Sequence, residues 1–191
     1  LALFGTRNTA LHTLSDEELL ARIDTWNAHD RAFHTLVDRY KEKLYRLLIR
    51  MLQVHEDADD ALQTTFIRLW EKHAQFKAES SLYTWLYRVA SNEALMLLRK
   101  RKKLPMDDAD ELLADIQGPE PQLDGDKASR LLLESLDTLP PRQRAVFCLR
   151  YFEEIPYQEI SAMLDVSEGA LKASYHHAVK KISAFVQQHS H

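Results

Sequence analysis

Apolar residues recur at three- and four-residue spacings along most of the 191 positions, the period of amphipathic helices. From Asp30 to Met51 the stripe is Phe33, Leu36, Val37, Tyr40, Leu44, Leu47, Leu48 and Met51. From Glu56 to His73 it is Ala58, Ala61, Leu62, Thr65, Phe66, Leu69 and Trp70. From Ser81 to Lys103 it is Leu82, Trp85, Leu86, Val89, Ala90, Leu97 and Leu98. Ahead of these, Ser15 followed three residues later by Glu18 is a capping box and predicts a further helix start. Residues 1–13 show no period and read as a loose lead-in. Past Lys103 the pattern breaks: Pro105, Gly118, Pro119 and Pro121 punctuate residues 104–125, which read as a linker with at most a short helix at 109–116. Helical periodicity then returns at 126–137, 141–152, 156–164 and 168–186, with Pro141 suited to a first turn. The expected fold is all-α: two helical domains, 14–103 and 126–191, joined by an acidic linker. Only four glycines and no clustered strand-formers agree with this reading.

Charge changes the picture once it is divided along the chain. The net formal charge of −4 suggests no polyanionic partner. Yet residues 1–103 hold 17 basic and 14 acidic side chains, residues 104–139 hold 2 and 10, and residues 140–191 hold 6 and 5. The acidity sits in the middle and masks neutral-to-basic ends. The single cysteine, Cys148, lies in an apolar helical run and reads as a small buried hydrophobe in a reducing compartment. No apolar run approaches the roughly 18–20 residues of a membrane span, and no leader pattern is visible. A cytoplasmic location is expected.

Pro156 to Ile182 carries the sharpest local signal. A short helix from Tyr157 to Leu164 ends at Asp165-Val166, and Ser167 can cap a second helix opened by Glu168 and Gly169. Ile160, Met163 and Leu164 are placed to pack on Leu171, Ala178 and Ile182 through Val166. Two helices around a tight turn form a helix-turn-helix, whose second helix enters the DNA major groove with its early residues at base edges. The polar candidates there are Lys172, Ser174, His176, His177, Lys180 and Lys181, with Ala173 between them. Spacing alone leaves an ordinary helical hairpin open.

A second signal lies in the first domain. Arg99-Lys100-Arg101-Lys102-Lys103 places five cations at a helix end, where macrodipole compensation needs one or two. The excess points to a polyanion. Upstream, Phe76-Lys77-Ala78-Glu79-Ser80-Ser81 reads as a polar loop leading into Tyr83, Trp85, Tyr87 and Arg88. Aromatics interleaved with cations can stack on unpaired bases, although Trp85 is expected to be core.

Here a family resemblance enters. Asp60-Ala61-Leu62-Gln63-Thr64-Thr65-Phe66-Ile67-Arg68-Leu69-Trp70 resembles region 2.2 of bacterial RNA polymerase sigma factors of the extracytoplasmic-function (group IV) type. Phe76 with Thr84-Trp85-Leu86-Tyr87-Arg88-Val89-Ala90-Ser91-Asn92 resembles regions 2.3 and 2.4. Leu139-Pro140-Pro141-Arg142-Gln143-Arg144, Leu149-Arg150-Tyr151, Tyr157-Gln158-Glu159-Ile160 and Gly169-Ala170-Leu171-Lys172 resemble region 4. The match runs in order from about Ser15 to Ile182.

The resemblance implies a factor that confers promoter recognition and melting on core polymerase and is not itself an enzyme. Asp60, Gln63, Thr64 and Arg68 would face outward to the clamp helices of the largest polymerase subunit. Phe76, Lys77, Glu79, Ser80, Ser81, Tyr87, Arg88 and Asn92 would read the −10 element, with one base flipped into the Phe76–Ser81 loop. Arg99, Lys100, Arg101, Lys102 and Lys103 would hold the adjoining duplex. Lys172, Ala173, Ser174, His176, His177 and Lys180 would read the −35 element while apolar faces of the same domain hold the polymerase flap. The linker would run through a basic polymerase channel. An anti-sigma factor is an implied partner, and a membrane contact would come only through a membrane-bound one. No cofactor or metal is expected. The cluster Glu56-Asp57-Asp59-Asp60 lacks the glycine turn of a calcium loop.

Two features depart from the family pattern. Where many members read Gly-Thr-Val-Lys-Ser-Arg, this chain has Gly169-Ala170-Leu171-Lys172-Ala173-Ser174, and His177 stands where arginine is common. Pro156 also stands where a capping serine is frequent. Loss of bidentate arginine predicts unusual −35 specificity and a weaker electrostatic grip. Two other functions fit the residues less well. A homodimeric operator-binding regulator leaves the Phe76–Ser81 loop without a role. A hydrolytic or metal enzyme lacks any nucleophile–base or ligand spacing.

Overall fold

The computed structural model describes residues 11–23, 30–76, 80–101 and 127–189. Every regular element among them is helical. The elements are α1 (Asp16–Leu20), α2 (Arg31–Leu52), α3 (His55–Lys72), α4 (Leu82–Arg101), α5 (Lys127–Ser135), α6 (Pro141–Phe147), α7 (Tyr157–Leu164) and α8 (Glu168–His189). Residues 1–10 and the whole 104–125 linker, with the expected helix at 109–116, lie outside the described residues.

Local chemistry sets the helix starts. The Ser15 hydroxyl accepts from the Glu18 amide at 3.2 Å while Glu18 Oε2 accepts from the Ser15 amide at 2.8 Å, the reciprocal capping box expected. Asp30 Oδ1 accepts from the Phe33 amide at 2.7 Å and opens α2. No side chain caps α3, but Glu56 and Asp57 in its first turn complement the helix dipole. Gln53 ends α2 in the left-handed region at φ 57°. Its amide side chain donates to Leu133 O at 2.9 Å, which ties the bend to α5 far along the chain. Pro156 precedes α7 without a side-chain cap, and Tyr157 begins the helix as expected.

The run expected as one helix from 141 to 152 is not uniform. After Phe147 the winding widens to a π turn over Cys148–Phe152, closed by Glu153 N to Cys148 O at 3.3 Å. Buried Cys148 and Leu149, and the need to bury Ile155 just beyond, favour that wider turn. Glu154 follows at φ 55°, and Arg150 Nη1 donates to the carbonyls of Glu154 and Ile155. The helix expected to 137 likewise ends as α-helix at Ser135 and finishes in a 3-10 turn, Leu136–Thr138.

Helices α2, α3 and α4 pack on one another, and α8 packs on α5, α6 and α7. These two halves are not held apart. Helix α4 packs on α6 and α7, and α2 packs on the π turn and α6. The buried apolar residues of both halves form a single cluster. This changes which face of α4 is inside. Leu82, Leu86, Val89, Ala90 and Leu98 are buried as expected, but Trp85 and Leu97 are only partly so. Tyr87, Ser91, Glu93, Ala94 and Leu95 are buried in addition, because α4 is covered on two sides and carries a wider buried arc than a surface helix needs.

Candidate nucleic-acid interface

The helix-turn-helix forms as the spacing suggests. Ile160, Met163, Leu164, Leu171, Ala178 and Ile182 are buried, and Val166 in the turn packs against them. Asp165 makes the turn at φ 53°, ψ 54°, a left-handed conformation that aspartate tolerates better than most residues. The Val166 amide donates to Ser161 O at 3.3 Å. At the start of α8 the Ala170 amide donates to the Ser167 hydroxyl at 3.4 Å, a long cap.

Burying Leu171, Ala178 and Ile182 turns the opposite face of α8 outward. Lys172, Ala173, His176, His177, Lys180 and Lys181 are exposed there, and Ser174 is half-buried. Lys172 Nζ lies 3.6 Å from Glu168 Oε2, an exposed pair that contributes little to stability. The same ammonium sits 5.7 Å from the Tyr157 ring centroid. The His176 and His177 rings are 6.2 Å apart. An aromatic group backs the helix: Tyr175 stacks on Phe147 at 5.7 Å, and Phe147 on Tyr151 at 5.0 Å.

The residues expected at the first DNA element are divided. Lys77 and Glu79 lie outside the described residues, as do Lys102 and Lys103. Phe76 is half-buried on the core. Ser81 is exposed, and its hydroxyl accepts from the Thr84 amide at 3.1 Å, while Ser80 beside it is half-buried. Arg88, Asn92, Arg99 and Lys100 are exposed along one side of α4. Two expectations do not match the geometry. Arg101 is not a free cation, because it donates to Leu52 O at 3.1 Å and pairs with Asp57, pinning α4 to the α2–α3 corner. Tyr87 is fully buried, with its hydroxyl donating to Glu153 Oε2 at 2.8 Å.

On α3, Asp60 and Gln63 are exposed and Thr64 is half-buried. Arg68 is half-buried as well and is engaged by Glu93, whose side chain is only 7% exposed. Sequence reasoning missed Glu93, although it continues the stripe Leu86, Val89, Ala90 at helical spacing, which was the available signal. It also missed Glu153 and Glu159, which carry no local signal because their partners are on α2 and α4. Among the described residues no three His, Cys, Asp or Glu side chains gather as metal ligands. Cys148 is fully enclosed, and burial pushes its thiol up to about 12.

Residues 36–104 match the profile of Sigma-70 region 2, and residues 129–182 match Sigma-70, region 4. The chain belongs to the sigma-70 family. Its relatives place it in the extracytoplasmic-function (ECF) branch of that family. It is 28% identical over 183 residues to the RNA polymerase sigma-H factor of Pseudomonas aeruginosa, covering 90% of this chain and 94% of that one. It is 28% identical over 185 residues to the ECF RNA polymerase sigma-E factor of Haemophilus influenzae, covering 91% and 96%. The sigma fold is shared with the Bartonella quintana sigma factor RpoE, crystallised with the anti-sigma factor NepR. That match has a TM-score of 0.68 at 22% identity, over 81% of this chain and 96% of that one. CnrH, solved with the cytosolic domain of CnrY, matches at TM-score 0.63 and 22% identity, over 91% and 98%. In sigma terms, α2–α4 lie in or across the region 2 match and α5–α8 in or across the region 4 match.

Proposed function

We propose that this sigma factor binds core RNA polymerase and directs it to promoters by two DNA contacts, one in each half of the chain. The observation that carries the reading is the pair of exposed polar faces on two helices that each bury an opposite stripe. One is Arg88, Asn92, Arg99 and Lys100 on α4, and the other is Lys172, His176, His177 and Lys180 on α8. Region 2, with the 76–81 loop and α4, reads and opens the −10 element, and α8 reads the −35 element from the major groove. The polymerase contact is the outward side of α3, with Asp60, Gln63 and Thr64, while Arg68 orients that helix through Glu93. The polymerase flap meets the apolar surface of region 4. Catalysis is left to polymerase. The domain division at 14–103, 104–125 and 126–191 follows from these roles.

The 25 residues between Arg101 and Lys127 span at most about 90 Å when extended, so polymerase, not this chain, sets the distance between the two contacts. We place the protein in the cytoplasm. No helix among the described residues is long and apolar enough to cross a membrane. The anti-sigma complexes of the structurally similar RpoE and CnrH support an anti-sigma partner here.

The deciding experiment is transcription in vitro with core polymerase on a library of promoter sequences. Promoter-specific starts that depend on this chain are expected, and their absence overturns the proposal. Lys172→Ala should weaken dependence on the −35 element. Ser80→Ala with Ser81→Ala should instead change the preferred −10 sequence.

A further inference from the structure

Between Leu86 and Leu98, the exposed residues of α4 are Arg88, Asn92 and Met96, and the rest are buried or half-buried. Four residues advance an α-helix by just over one turn, so these three side chains form a single ridge. Arg99 and Lys100, also exposed, continue it at the helix end. At about 100° per residue, Arg88, Asn92, Met96 and Arg99 fall within about 80° of arc. Met96 is the one apolar member of this ridge, and it is 51% exposed.

The ridge is cationic at both ends and carries no acid. Glu93 is the one carboxylate on α4, and it is buried and engaged by Arg68. The ridge is also held in place from behind. Tyr87, next to Arg88, donates to Glu153 Oε2 at 2.8 Å, and Arg101, next to Lys100, donates to Leu52 O at 3.1 Å and pairs with Asp57. A face of this charge suits a polyanion. An apolar protein partner would find Met96 as the only large exposed hydrophobic on α4, set among cations. Along the axis, Met96 stands about 6 Å from Asn92 and about 4.5 Å from Arg99. With the outer cations on phosphates, Asn92 and Met96 in the middle of the ridge lie over base edges. In the major groove an asparagine amide matches adenine, whereas the one apolar group that a base presents there is the 5-methyl of thymine.

We infer that Met96 is a specificity-determining residue that reads the 5-methyl group of a thymine in the promoter duplex at the −10 element, while Arg88, Arg99 and Lys100 hold phosphates on either side. The inference rests on the promoter-reading role proposed above. The thioether side chain is unbranched and polarizable, so it can lie flat against a methyl group that a stiffer side chain would have to meet head-on. The contact removes apolar surface of both partners from water and needs no hydrogen bond. It therefore favours thymine over a base that differs only by that methyl, which none of the polar residues of the ridge can do.

The test uses core polymerase carrying either the native protein or Met96→Ala, an exposed position whose truncation leaves the core intact. The template is a promoter selected by the transcription assay. Each thymine of its −10 element and of the adjoining duplex is replaced, one at a time, by deoxyuridine, which lacks only the methyl group. Equilibrium binding of the promoter fragment and the yield of specific transcript are both read. With native protein, one thymine should lose about fourfold in affinity on becoming uracil, the scale of one buried methyl. With Met96→Ala that position should become indifferent to the methyl, so the two losses do not add. With cytosine placed there instead, 5-methylcytosine should bind better than cytosine for the native protein alone. Affinity for core polymerase in the absence of DNA should agree between the two forms within about twofold. The inference is overturned if uracil is tolerated at every position or if its cost is as large with Met96→Ala. It is overturned equally if Met96→Ala weakens binding to core polymerase without DNA, which would make Met96 a polymerase contact. If instead no form of the protein supports promoter-specific transcription, it is the functional reading that falls.

Discussion

Tyr87 and Glu153 are 66 positions apart in sequence and 2.8 Å apart in space, the phenolic hydroxyl donating to the carboxylate across the seam between the two halves. Burial, and then the Glu153 charge, raises the tyrosine's pKa well above its ordinary value of 10.0. An unfolded chain would release that proton near pH 10, whereas the folded one retains it. The stabilisation is therefore fully present below pH 10 and is lost as pH rises beyond it, by about 1.4 kcal/mol per pH unit for one such group. Tyr40, raised by burial and by Asp16, acts in the same direction. Denaturant melts between pH 8 and 11 should show stability falling above pH 10, with a shallower fall in Tyr87→Phe. An equal slope in that variant would show that Tyr87 is ionised in the fold.

Cys148 should be inert to thiol reagents in the native state. It has no solvent exposure, and burial lifts its pKa to about 12, so neither access nor thiolate is available. Reaction with a disulfide reagent at pH 8 should proceed only through unfolding, and its rate should rise with urea in parallel with the unfolded fraction. A fast stoichiometric reaction without denaturant would contradict the placement.

Arg68 and Glu93 should respond unequally to mutation. Glu93 is buried and Arg68 is 39% exposed at the side chain. Removing the arginine strands a carboxylate in the interior, whereas neutralising the carboxylate leaves a guanidinium that can turn to water. Arg68→Ala should cost about 2–3 kcal/mol and Glu93→Gln about 1 kcal/mol, measured by urea denaturation. If Glu93→Gln proved the more costly, the pair would be held by something other than carboxylate burial.

His177→Arg should tighten binding of the −35 duplex and steepen its salt dependence. His177 is exposed on the face of α8 that carries Lys172 and Lys180. An arginine there adds one permanent cation, and one added phosphate contact changes the slope of log affinity against log salt by about −0.9. Titrations at several salt concentrations would reveal it. An unchanged slope would remove His177 from the DNA-facing surface.

Much of the fold could be read along the chain because its determinants are local. The Ser15–Glu18 capping box, the α2 stripe and the Asp165-Val166 turn each depend on residues within a few positions of one another. The exposed part of the candidate interface on α8 followed from the same logic, since burying Leu171, Ala178 and Ile182 leaves Lys172, His176 and His177 outside. Tyr87 and Arg101 were misplaced for the opposite reason. Each has an apparent surface role on its own helix and a partner on a remote one, Glu153 for the first and Asp57 with Leu52 O for the second. Helical spacing identifies a helix with a buried stripe, but it does not report that a second body covers the next face as well.

The sequence by itself thus determined the helices, their caps, the helix-turn-helix and the family, all properties that short-range periodicity and motif order encode. Only the tertiary structure decided that the two halves share one apolar cluster and that Glu153 and Glu159 lie against Tyr87 and Thr84. That arrangement is a balance of long-range packing and buried charge between surfaces far apart in the chain. No local pattern records which surfaces meet, so it became visible only once the chain was folded.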